Sequence, residues 1–170
     1  MGSGTGDQVE SRIKCNIIAI PYPGRGHINP MMNLCKLIAS TRPDILITFV
    51  VTEEWHKLLS SDPNEFPPAN IQFGTIPNVL PSETSRGKNF SAFLEALFTE
   101  MGPEVESFLD RIEIPNPSLI LSDTYLRWAL KIGKKRNIDV ASFWTTSATM
   151  FSILHHYDLL LQNGHFTSIC

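Results

Sequence analysis

What these 170 residues lack narrows their possible roles before any motif is read. Positive charge is not in excess, since 14 Lys and Arg stand against 17 Asp and Glu. Without a basic patch to hold a phosphate backbone, nucleic acid is not an expected partner. Cysteine is scarce: Cys15, Cys35 and Cys170 are the only three, and their spacing fits no metal-ligand motif, so no metal is expected. The first two fall in apolar segments where a free thiol acts as a small hydrophobe, which fits a reducing, cytoplasmic setting. The longest apolar stretch, Ala148 to Leu161, is interrupted by His155, His156 and Asp158, too short and too polar for membrane insertion. No charged start followed by an apolar run opens the sequence, so a secretory signal is not expected, and residues 1–13 are expected to form a disordered tail. Gly2 lacks the Ser or Thr that myristoylation needs, because Gly6 stands there. Asn89-Phe90-Ser91 is then a glycosylation triplet by accident of spacing.

What is present is a repeating pattern of apolar runs and amphipathic stretches, with 42% hydrophobic residues to build one sizeable core. Lys14 to Ile20 and Ile45 to Val51 are continuous apolar runs with β-branched content, as buried strands require. Further strands are expected at Ile71 to Ile76, at Leu119 to Asp123 and at Ile138 to Trp144. Between them, Met31, Leu34, Cys35 and Ile38 repeat at helical spacing, with Asn29 placed to cap and Pro30 at the first helical position. Other helices are expected over Glu53 to Leu59, Phe90 to Leu109 with a kink at Gly102-Pro103, Thr124 to Arg136, and Thr146 to Leu161. Apolar strands alternating with helices imply an α/β fold, a doubly wound, mostly parallel, Rossmann-like sheet covered on both faces. Ligands collect at the carboxyl ends of such strands. The segments to weigh are therefore Tyr22 to His27, Thr52 and Glu53, Asp123, and Trp144 to Ser147.

Gly24-Arg25-Gly26-His27-Ile28-Asn29 carries only the first two glycines of a dinucleotide fingerprint, with Asn29-Pro30 where the third would stand. Glu53 at the end of the second run would suit a ribose hydroxyl, and suits the first turn of a helix equally well. No Gly-Lys-Ser/Thr follows to make a P-loop. His27 stands instead on the ligand face of the sheet, where a loop histidine is either an inconsequential surface group or a base. A carboxylate on one ring nitrogen would fix the tautomer and leave the other to take a proton from a bound hydroxyl. Asp123, ending the strand expected beside the first, is the residue placed to do so. It is also a good helix N-cap and could pair with Arg127, so cap and orienter both remain open and one carboxylate can serve as both. His155 and His156, adjacent on a helix, point about 100° apart and do not suit one metal ion. Trp144-Thr145-Thr146-Ser147 offers an apolar wall and hydroxyls to a polar ligand, or caps the next helix.

Taken together, PYPGRGHINPMMNLCKLIAS after a strand, then ILITFVVTEEW, LILSDTYLRWALKIGKKRNI and SFWTTSAT, resemble in order the N-terminal half of plant UDP-dependent glycosyltransferases of the GT-B fold. Gly-His-Ile-Asn-Pro is the most specific piece, and the resemblance runs from Lys14 to about Leu161. It implies that His27 is the general base for the acceptor hydroxyl and Asp123 its support. It implies further that Gly26 and Thr145 lie on the donor-sugar side. The acceptor pocket would be walled by the loop and helix from Leu80 to Met101, with Pro23, Gly24, Phe90, Phe93, Leu97 and Trp144 as lining residues. The implied reaction transfers a sugar from a UDP-sugar, UDP-glucose being the expected donor, to a small apolar acceptor such as a flavonoid, terpenoid or hormone, with inversion. The UDP-sugar is a co-substrate and no cofactor is expected. The family's donor-binding signature, a His-x-Gly-Trp-Asn stretch followed by an acidic-Gln pair, does not occur in these residues. Residues 14–170 are therefore expected to form an incomplete acceptor-binding domain without its UDP-sugar-binding partner, inactive alone. The alternative is a non-catalytic acceptor-binding or regulatory module.

Overall fold

A computed structural model describes residues 13–61, 67–112 and 117–165. The expected N-terminal tail and the stretch after His165 lie outside them, apart from Ile13. Five strands, β1 (Cys15–Ile20), β2 (Ile45–Thr52), β3 (Ile71–Ile76), β4 (Leu119–Asp123) and β5 (Asp139–Phe143), form one sheet in the order β3-β2-β1-β4-β5. Every pairing is parallel. The doubly wound α/β expectation holds.

The reason lies in the strands themselves. Ile17 and Ala19 of β1 point to one face and Ile18 and Ile20 to the other, and all four are buried. Two apolar layers result. On one face, helix α1 (Arg25–Thr41) lays Ile28, Met31, Cys35 and Ala39 against Ile47, Phe49 and Leu121, joined by Trp55 of α2 (Glu53–Leu59). On the other, α3 (Phe90–Thr99), α4 (Met101–Arg111) and α5 (Trp128–Arg136) bury Phe93, Leu97, Val105 and Ile132 against Ile18, Ile20 and Ile120. The last helices, α6 (Ala148–His155) and α7 (Tyr157–Gln162), bury no residue. Phe151, Leu154 and Leu159 are each at least half exposed there.

Four helix boundaries differ from the sequence expectation. Helix α1 begins at Arg25 behind an extended Gly24, so His27 lies within its first turn and Pro30 within the helix. The cost of Pro30 is small because it falls early, where it forfeits one bond to the Gly26 carbonyl while the buried apolar stripe holds the rest. The expected kink at Gly102-Pro103 is a full break, with Glu100 between α3 and α4. Pro103 has no N–H to give the Thr99 carbonyl, and its ring crowds that oxygen. The helix expected from Thr124 starts only at Trp128, and the helix expected from Thr146 is two, parted at His156.

The chain runs outward from β1 through β2 to β3, then returns to place β4 on the opposite side of β1. The order reverses between β1 and β4. This is the switch point at which an open α/β sheet leaves a crevice beyond its carboxyl ends.

Candidate active site

His27 and Asp123 meet across that crevice. Parallel pairing sets Ile20 of β1 opposite Ser122 of β4, so both strands end at the same height. Asp123 is the last residue of β4, and the turn after β1 leads straight into α1. The His27 amide donates to the Gly24 carbonyl at 2.9 Å, which fixes the first turn of α1. His27 Nδ1 lies 2.8 Å from Asp123 Oδ2.

The carboxylate does two things at once. Its Oδ2 faces the imidazole while Oδ1 accepts from the Tyr125 amide at 3.0 Å, tying down the turn before α5. Arg127 does not pair with it and instead precedes α5 as its N-cap residue. Asp123 is wholly buried at its side chain and His27 is 21% exposed. A carboxylate only accepts, so Nδ1 carries the hydrogen and Nε2 presents its lone pair. Thr145 completes the cluster. Its hydroxyl lies 2.7 Å from His27 Nδ1 and donates to Asp123 Oδ2 at 3.4 Å.

Aromatic rings enclose this group. Tyr22 leans over the imidazole with ring centroids 4.6 Å apart, and Tyr125 meets it edge-on at 5.7 Å. Burial pushes the Tyr22 hydroxyl above its ordinary range, with Arg86 pulling the other way, so the ring stays neutral. Tyr125 reaches on to Trp144, whose indole N–H is fixed on the Ser147 carbonyl at 3.0 Å. Rings of this kind exclude water and strengthen the charge-assisted bond between His27 and Asp123.

Of the residues expected from sequence, His27, Asp123 and Thr145 come together. Pro23 and Gly24 are buried in the turn just ahead of α1, whereas Gly26 faces open space. Phe93 is buried, meets Tyr22 at 5.8 Å and stacks with the half-exposed Phe90 at 5.9 Å. Leu97 is fully buried in the core layer below, with its carbonyl accepting from the Trp128 indole at 3.1 Å. Glu53 begins α2 and accepts from the Asn78 side chain, as a first-turn carboxylate would. His155 and His156 lie on exposed helix ends. Among the described residues no group of three or more His, Cys, Asp or Glu could hold a metal ion, and no helix is long and apolar enough to cross a membrane.

Tyr125 and Arg86 were not singled out from sequence. Tyr125 had a local signal, being two residues past a strand-end aspartate where an amide commonly returns to the carboxylate. Arg86 had none, because it reaches Pro23 across 63 positions.

No family model matches the chain. UDP-glycosyltransferase 87A2 of Arabidopsis thaliana is 49% identical over 150 residues, covering 88% of this chain and 32% of that protein. UDP-glycosyltransferase 87A1 of the same plant is 51% identical over 147 residues, 86% of this chain and 32% of that protein. Among solved structures, a UDP-glucose:anthocyanidin 3-O-glucosyltransferase in complex with UDP superposes with a TM-score of 0.73 at 18% identity, over 92% of this chain and 35% of that one. The chain thus spans about a third of the length of the relatives it matches. On its sequence kinship and its switch-point fold, this chain belongs to the plant UDP-dependent glycosyltransferases and corresponds to an N-terminal part of them.

Proposed function

We propose that this chain is the acceptor-activating part of a UDP-sugar-dependent glycosyltransferase, with His27 as general base. The observation that carries the reading is the Nδ1 to Asp123 hydrogen bond at the switch point, which leaves Nε2 as the basic nitrogen in a ring-lined crevice. A small apolar acceptor such as a flavonoid, terpenoid or hormone lies against Tyr22, Phe93, Phe90 and Trp144 and brings a hydroxyl to Nε2. As that proton moves to Nε2, the acceptor oxygen bonds the anomeric carbon of the sugar, UDP-glucose being the donor. The bond from that carbon to the β-phosphate oxygen breaks, and UDP leaves with the electron pair. Attack opposite the leaving group inverts the anomeric centre, with no covalent enzyme intermediate. Asp123 stabilises the imidazolium formed in the step. Thr145 holds the imidazole and carboxylate together on the donor-sugar side, near Gly26. The base itself needs no metal and no cofactor.

A second reading, a non-catalytic acceptor-binding or regulatory module, draws on the span of about a third of the relatives' length. Two measurements separate them. In a full-length protein containing this chain, His27→Ala should abolish glucosylation while leaving UDP-glucose binding intact; an unchanged rate would remove the base. Calorimetry on the 170 residues should give heat with an aromatic aglycone and little with UDP-glucose. Acceptor binding here, together with no transfer by the full-length protein, would favour the module.

A further inference from the structure

The loop between β3 and α3 is fastened at one end to α2. Asn78 accepts from the Glu54 amide at 2.8 Å, and Glu54 accepts in turn from the Ser82 hydroxyl at 2.6 Å and the Glu83 amide at 3.2 Å. At its other end, in the 3₁₀ turn Arg86–Lys88, one side chain crosses to the turn ahead of α1. The Arg86 guanidinium donates from one nitrogen to the Pro23 carbonyl and from the other to Glu83 Oε1 at 2.9 Å. Its carbon also sits 4.7 Å over the Phe93 ring.

We propose that Arg86 is a positioning residue that ties the acceptor-side wall to the turn carrying His27 and so sets where an acceptor lies against the base. The inference rests on the reading of His27 given above. Pro23 immediately precedes Gly24, whose carbonyl accepts from the His27 amide, and Tyr22 lies against both Phe93 and the His27 ring. A continuous path of contacts therefore runs from Glu83 through Arg86 to the imidazole. General helix electrostatics do not account for this placement, because a cation beside a helix N-terminus is disfavoured by the macrodipole. What accounts for it is geometry. The planar fork can hold a carbonyl, a carboxylate and an aromatic face together, which the point charge of a lysine cannot.

The test uses two readouts. In a full-length transferase carrying this chain, Arg86→Ala and Arg86→Lys should each raise the acceptor KM by about tenfold, while the UDP-sugar KM and the thermal midpoint stay near the parent's. Acceptor KM unchanged in both variants, or both KM values rising together, overturns the proposal. Hydrogen exchange on the 170-residue chain is independent of any transfer activity. Arg86→Ala should speed exchange by about tenfold both at 77–93 and at 22–28, sparing β2. No change at 22–28 overturns the link. Absence of transfer by the parent protein would instead count against the reading of His27.

Discussion

Replacing Asp123 by Asn probes the base most sharply, because the surrounding structure dictates how the new side chain must sit. The Tyr125 amide points at Oδ1 at 3.0 Å and requires an acceptor there, so the Asn oxygen takes that place. Its NH₂ then occupies the position of Oδ2, 2.8 Å from His27 Nδ1. A donor facing Nδ1 forces the imidazole into the other tautomer and puts the proton on Nε2, which is then no base. The lost charge-assisted bond is worth about 1.5–3 kcal/mol, and the inverted tautomer removes a further general-base contribution of roughly 10² or more. Asp123→Asn in the full-length protein should therefore lower kcat by about a thousandfold or more, with the acceptor KM changed less than about threefold. Initial rates of UDP release at saturating acceptor measure it, with circular dichroism to verify the fold. A kcat within about threefold of the parent's would refute the reasoning, since the tautomer would then not matter.

Further outcomes follow from other residues. Thr145→Val removes the hydroxyl at 2.7 Å from Nδ1 and should lower kcat by about tenfold, with Thr145→Ser restoring most of it. A change confined to the UDP-sugar KM would place that hydroxyl on the donor instead. Burial pushes the Cys35 thiol up to about 12. Below pH 9 the folded and unfolded chains both hold this proton; above it only the unfolded chain releases it, until the folded thiol titrates. Stability should thus fall between about pH 9 and 12, by up to roughly 1.4 kcal/mol per pH unit from this group. Denaturation midpoints of the parent and of Cys35→Ala at pH 8 and 10.5 compare it, and the gap should narrow at the higher pH. On α6 and α7, Phe151, Leu154 and Leu159 are at least half exposed, so the 170-residue chain should bind an apolar dye and self-associate. Replacing all three by Ser should suppress both in light scattering and fluorescence, without loss of helix signal.

The central strands β1 and β2 were legible because they are apolar on both faces, and β-branched runs such as ILITFVVT leave little other reading. Helix interiors were legible for a similar reason, through the spacing of Met31, Cys35 and Ile38. The starts were less so. Asn29-Pro30 is a sound local start signal, yet the helix begins five residues earlier, because the turn after β1 already has Gly24 extended and accepting from His27 and Ile28. Local capping chemistry was outweighed by the geometry of the strand end. The break at His156 had no such local cause in proline or glycine.

By itself, then, the sequence determined an α/β chain with Asp123 at a strand end and His27 just past the turn that follows another, since the periodicity of apolar residues and the glycines and prolines between them are local signals. Sequence alone left open whether Asp123 caps the next helix or orients the histidine. Tertiary structure takes the helix cap away, since α5 starts only at Trp128 behind Arg127 and Asp123 Oδ1 holds the Tyr125 amide of the intervening turn. Parallel pairing of β1 with β4 brings its other oxygen to 2.8 Å from His27, 96 positions away in the chain. It also decided the company they keep. Thr145 and Tyr125 reach the His27 imidazole from separate loops, while Arg86 comes from a third to the Pro23 carbonyl, and only the order of strands in the sheet brings these segments together.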